Sequence, residues 1–97
     1  MKKSKAYQAE LIESLPNPGE AEHYLNAVLE EDDPELFLLA LRNVAEAQGG
    51  LAQLADKTKL NRESLYKMLS ERGNPELRSL DTLLHALGFR LAVASSR

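Results

Sequence analysis

Between residues 57 and 78 the chain sets Lys57, Lys59, Arg62, Lys67, Arg72 and Arg78 among Asn61, Glu63, Ser64 and Tyr66. An arginine fork can chelate the edge of a guanine, and a glutamate can accept from the cytosine amino group. Lysine and tyrosine reach phosphate oxygens. The chemistry on offer is recognition of nucleic acid, not bond breaking.

The other candidate groups are weaker. Glu20 and His23 form a single E-x-x-H, whereas a di-iron bundle needs a second copy and further carboxylates. His85 sits in the last turn of its helix, one turn after Asp81, where a positive charge suits the dipole. Ser64 and Ser79 lack a credible histidine partner for nucleophilic catalysis. Gly49-Gly50 is followed by neither a G-x-G-x-x-G nor a P-loop lysine. Tyr7, Tyr24, Tyr66, Phe37 and Phe89 are too dispersed to make a base-stacking platform for single strands. We therefore expect no enzyme, no metal and no cofactor.

The basic residues need elements to hold them, and apolar periodicity supplies short helices. Tyr7, Leu11, Ile12 and Leu15 lie on one helical face, so a helix is expected over 4–15, ending before Pro16. Asn17, Pro18 and Glu20 read as N-cap, N1 proline and N3 carboxylate, opening a helix whose face carries Ala21, Tyr24, Leu25, Val28 and Leu29. Asp33-Pro34 repeats the cap, and Phe37, Leu38, Ala40, Leu41, Val44 and Ala45 make the next helix apolar nearly all round, hence central and buried. Gly49 and Gly50 end it.

Helices over 51–57 and 62–71 follow, joined by a turn at 58–60; Asn61 caps the second, and Gly73, Asn74 and Pro75 stop it. Ser79 is expected to cap a last helix over 79–88 bearing Leu80, Leu83, Leu84 and Leu87, with Gly88 as its left-handed C-terminal residue. Phe89, Leu91 and Val93 then alternate with Arg90, Ala92 and Ala94, a period of two that predicts a strand over 89–94. Such a strand needs a partner: its copy in a second subunit, an N-terminal segment, or the sheet edge of another protein.

The spacing over residues 51–71 is that of a DNA-binding helix-turn-helix, which needs a small residue at the helix crossing, a tight turn and inward apolar anchors. Ala55 is the small residue, Leu60 plugs the turn, and Leu65, Met68 and Leu69 are the anchors. Asn61, Arg62, Glu63, Ser64, Tyr66 and Lys67 face outward as the expected DNA-reading set. Lys57, Lys59, Arg72, Asn74 and Arg78 are the expected phosphate contacts. The turn residue, often glycine because its φ is positive, is Lys59 here, at a cost of about 1 kcal/mol.

The 97 residues are expected to form one all-α domain of five or six helices with the short C-terminal strand. Hydrophobic residues make up 43% of the chain, enough for a core and unlike a disordered composition. There is no cysteine, so neither disulfides nor thiolate metal sites arise, and no apolar run approaches bilayer length. A cytoplasmic protein without a signal peptide or membrane contact is expected. The net charge of −3 argues at first against nucleic acid, but it is unevenly spread. Residues 1–9 carry +3 through Lys2, Lys3 and Lys5, residues 10–46 carry −9 with Arg42 as their one base, and residues 47–97 carry +3. An acidic half and a basic half suit two different partners.

Taken together, Arg62-Glu63-Ser64-Leu65-Tyr66-Lys67, Leu69-Ser70 and Gly73-Asn74-Pro75 resemble the addiction-module antidote proteins of the HigA type, within the lambda-repressor-like class of bacterial regulators. Glu20-Ala21, Tyr24-Leu25-Asn26-Ala27, Leu29-Glu30-Glu31, Asp33-Pro34 and Phe37 are similar to that family's N-terminal helices. Leu84 and Ala86-Leu87-Gly88 are similar to its last helix. The resemblance covers about residues 20–91. It implies a dimeric antitoxin that represses its own operon through double-stranded operator DNA and neutralises a small basic ribonuclease toxin of the RelE or HigB type. The physical argument adds that Glu30, Glu31, Asp32 and Asp33 are the sensible surface for a basic toxin. The competing readings are a stand-alone helix-turn-helix regulator and a helical interaction module that does not bind DNA.

Overall fold

The computed structural model describes Leu15 and residues 17–96, which form five helices in the order α1 (Pro18–Leu29), α2 (Pro34–Ala47), α3 (Leu51–Thr58), α4 (Arg62–Met68) and α5 (Leu77–Ala86). The helix expected over 4–15 lies outside the described residues except for Leu15, which is buried in the core, and the Lys2, Lys3 and Lys5 segment lies outside them as well.

Local chemistry sets most helix starts. Asn17 Oδ1 accepts from the Glu20 amide at 3.1 Å, and Asp33 Oδ1 accepts from the Glu35 and Leu36 amides at 3.1 and 3.3 Å. In each case a proline follows the cap, where its missing N–H costs nothing. At the other end of α5 the chain closes in a Schellman turn: the Phe89 amide donates to Leu84 O at 2.8 Å and the Gly88 amide to His85 O at 3.0 Å. Gly88 supplies the positive φ of 94° that this closure demands. Gly50 and Gly49 end α2 in the same way, their amides donating to Ala45 O and Glu46 O.

α1 packs on α2, α2 on α3, and α3 on both α4 and α5. The core they enclose is apolar throughout, with no buried polar or charged residue among those described. Leu41, Leu51, Leu65, Leu69 and Leu83 are almost wholly removed from water, each contributing about 1.5–3 kcal/mol of burial. α2 supplies Leu38, Ala40, Leu41, Val44 and Ala45 to this core, but Leu36 and Leu39 remain 39% and 40% exposed. It is therefore buried along one face and not all round.

Two helix boundaries and the strand depart from expectation. α5 begins at Leu77, with Glu76 rather than Ser79 at the cap and Ser79 inside the helix; Glu76 O accepts from the Leu80 amide at 2.9 Å without any side-chain cap. The two added residues cost little because they stay in water, Leu77 being 70% exposed. α4 stops at Met68, short of Glu71. Ser70 Oγ donates to Lys67 O at 2.7 Å, competing for the helix's last carbonyls. Gly73 folds back so tightly that a Cβ there would meet Met68 O at 2.1 Å. Finally, no strand forms over 89–94. Among the described residues that segment has no ladder partner, and Val93 stands fully in solvent.

Candidate nucleic-acid interface

The α3–α4 junction is built almost entirely by short-range bonds. Thr58 Oγ1 donates to Leu54 O at 2.8 Å and accepts from the Leu60 amide at 3.2 Å, so one hydroxyl both ends α3 and shapes the turn. Lys59 then takes the left-handed conformation expected of it, φ 62° and ψ 13°, while its amide donates to Ala55 O at 3.0 Å. Leu60 and Ala55 pack against the core. Asn61 Oδ1 accepts from the Glu63 amide at 2.7 Å and the Ser64 amide at 3.4 Å, opening α4. This cap occupies the Asn61 carbonyl oxygen and leaves its side-chain NH2 as the group free to meet a ligand.

α4 is two-faced. Leu65, Met68 and Leu69 are buried beneath it, whereas Arg62, Glu63, Ser64, Tyr66 and Lys67 are exposed. Lys59, Asn61 and Arg62 line one shallow depression together with Ala52, Ala55, Asp56 and Leu60, so the turn and the first residue of α4 present one surface. Asp56 is an acid within it. Lys57, Arg72, Asn74 and Arg78 are exposed too. Asn74 lies elsewhere: it lines a groove with Asp32 and Asp33, neighbours that would repel a phosphate. Among the described residues, Lys57, Lys59, Arg62, Lys67, Arg72 and Arg78 pair with no carboxylate; the one ion pair is Asp81–His85 at 3.5 Å.

Sequence reasoning missed one participant. Arg42, the single base of the acidic segment, places its guanidinium carbon 5.6 Å from the centroid of the Tyr66 ring. Tyr66 is 45% exposed. The only signal in the sequence was the isolation of that base among ten acids, which does not reveal which helix it meets.

The acids gather at the α1–α2 corner. Glu30 closes α1, the Glu31 and Asp32 amides donate to Val28 O and Leu29 O, and Asp33 opens α2. Asp32 sits at φ 54°, a conformation that aspartate tolerates better than most residues. All four are exposed and form no ion pair among the described residues. Glu20 and His23 are exposed on α1, and no cluster of three or more metal-ligating side chains forms among the described residues. No helix there is long and apolar enough to cross a membrane.

Comparison with known proteins agrees with the antidote resemblance at the level of family. The chain is 38% identical over 88 residues to an uncharacterized protein of Haemophilus influenzae, an alignment that covers 91% of this chain and 90% of that one. No solved structure matches it. Residues 6–95 match the family described as "Probable addiction module antidote protein", and with nearly the whole chain inside that match, the protein belongs to that family.

Proposed function

We propose that the protein is the antitoxin of a type II toxin–antitoxin module, a HigA-type repressor with a lambda-repressor-like helix-turn-helix. The antidote family supports the antitoxin role. The observation that carries the DNA-binding part is the outward face of α4, with Arg62, Glu63, Ser64, Tyr66 and Lys67 exposed over a buried leucine and methionine floor and their bases unpaired. In this reading α4 enters the major groove, with Arg62 and Glu63 at base edges, while Lys57, Lys59, Arg72 and Arg78 set its register on phosphates. Asn74 is the weakest of the proposed phosphate contacts because of its acidic neighbours. The protein acts by binding and performs no reaction of its own.

Two copies would read half-sites about 34–36 Å apart. The segment after Gly88, which has no ladder partner among the described residues and leaves Leu91 and Val93 exposed, suits a strand shared between subunits. The toxin would be a small basic ribonuclease of the RelE or HigB type, drawn to Glu30, Glu31, Asp32 and Asp33 by the opposite field. The test is a titration of the purified protein against the DNA upstream of its own reading frame and against the product of the adjacent frame. Saturable, salt-sensitive binding of both supports the reading. Binding of the neighbour with no DNA binding at low salt would leave a protein-interaction module; DNA binding with no toxin would leave a stand-alone regulator.

A further inference from the structure

The geometry points to Arg42 as a positioning residue of the DNA-reading surface, holding the Tyr66 ring of α4 from α2. The inference rests on the proposed reading of α4 as the DNA-contacting helix. Arg42 is the only base between residues 10 and 46, and α2 with its flanking loop offers Glu30, Glu31, Asp32, Asp33, Glu35 and Glu46 as carboxylates. Among the described residues it pairs with none of them. Its guanidinium lies instead over the half-exposed Tyr66 ring, 5.6 Å from the centroid, while Leu65, Met68 and Leu69 anchor α4 in the core.

A planar cation over a π face is attracted by the ring quadrupole, and guanidinium does this better than ammonium because it is flat and weakly hydrated. The stack joins two helices that both pack on α3. A half-exposed tyrosine on a seven-residue helix would otherwise choose among rotamers, and ordering it on DNA would cost affinity. Arg42 fixes the ring beforehand and adds its positive charge to the α4 face, away from the acidic half in which its own helix lies.

The experiment uses the full chain and a fragment of its own upstream DNA, with affinity read by fluorescence anisotropy at several salt concentrations. Arg42→Met is expected to weaken binding about two- to fivefold in the wild-type background. It should change affinity little once Tyr66 is already Leu. Arg42→Lys keeps the charge but not the plane, and should remain weakened. Melting temperatures should fall by no more than about 2–8 °C, the equivalent of a stack worth about 0.5–1 kcal/mol.

Four results would overturn the inference: undiminished affinity of Arg42→Met; losses at Arg42 and Tyr66 that simply multiply; full recovery with Arg42→Lys, which would make Arg42 a direct phosphate contact; or a melting temperature that falls by more than about 8 °C, which would make the role a general structural one. If the wild-type protein binds no DNA at low salt, the reading of α4 itself is lost, a result separable from all four.

Discussion

Lys59 carries two separable quantities, backbone strain and a positive charge, and substitution can split them. The residue sits at φ 62° and ψ 13°, closing α3 with its amide bonded to Ala55 O. Lys59→Ala and Lys59→Gly both delete the ammonium group, but only glycine relieves the left-handed strain of about 1–2 kcal/mol. Glycine returns about 0.4–1 kcal/mol of that through the greater freedom of the unfolded chain. The balance favours Lys59→Gly over Lys59→Ala by about 0.5–1 kcal/mol. For a chain of this size, 1 kcal/mol moves the midpoint by about 4–8 °C, so the glycine variant should melt about 2–8 °C above the alanine variant in a calorimetric scan.

On DNA the two should behave alike. A lost phosphate contact reduces the salt slope by about 0.9. Between 50 and 200 mM salt that corresponds to about a 3.5-fold change, so either variant's affinity deficit at 50 mM should be about 3.5 times its deficit at 200 mM. A glycine variant melting at or below the alanine variant would refute the strain argument. A deficit that does not change with salt would remove Lys59 from the phosphate contacts.

Arg62→Ala should cost about 1–3 kcal/mol on the cognate operator and little on random DNA; equal losses on both would demote Arg62 to a phosphate contact. Asn61→Ala should destabilise the fold by about 0.5–2 kcal/mol in chemical denaturation, because the Glu63 and Ser64 amides lose their acceptor, and an unchanged midpoint would deny the cap its weight. Replacing Glu30 and Glu31 by Gln and Asp32 and Asp33 by Asn keeps a capping oxygen at position 33 while removing the charge. Toxin affinity and its salt dependence should both fall in calorimetric titrations, and unchanged values would end the case for that corner as the toxin surface. A chain ending at Gly88 should show a lower oligomeric state in light scattering; a dimer of undiminished stability would exclude the C-terminal segment as the contact.

What the sequence revealed was whatever is decided within one turn of helix. Asn17, Asp33 and Asn61 cap where their spacing predicts, Lys59 and Gly88 adopt positive φ, and Leu65, Met68 and Leu69 go inward, because each outcome depends on neighbours three or four residues away. Ser79 misled for the complementary reason. Its cap propensity is real, but Leu80, Leu83, Leu84 and Leu87 are served equally by a helix that starts two residues earlier, and Glu76 gives that helix its first carbonyl. The premature end of α4 depends on a backbone approach at Gly73 that no spacing rule contains. The Arg42–Tyr66 stack joins residues on separate helices, and the site's electrostatics therefore could be read only by segment, not by face.

The brevity of α4 limits how much a single copy could tell apart. Seven residues make about 10 Å of helix, the rise of about three base pairs. Three fully specified pairs separate about 64 sequences and two copies together about 4,000, whereas a genome offers about a million or more competing sites. A regulator working through this helix alone would be short of information by a factor of several hundred. Such a regulator would need further discrimination from the mechanical properties of the duplex between half-sites, from contacts outside this helix, or from repeated sites that several copies occupy together.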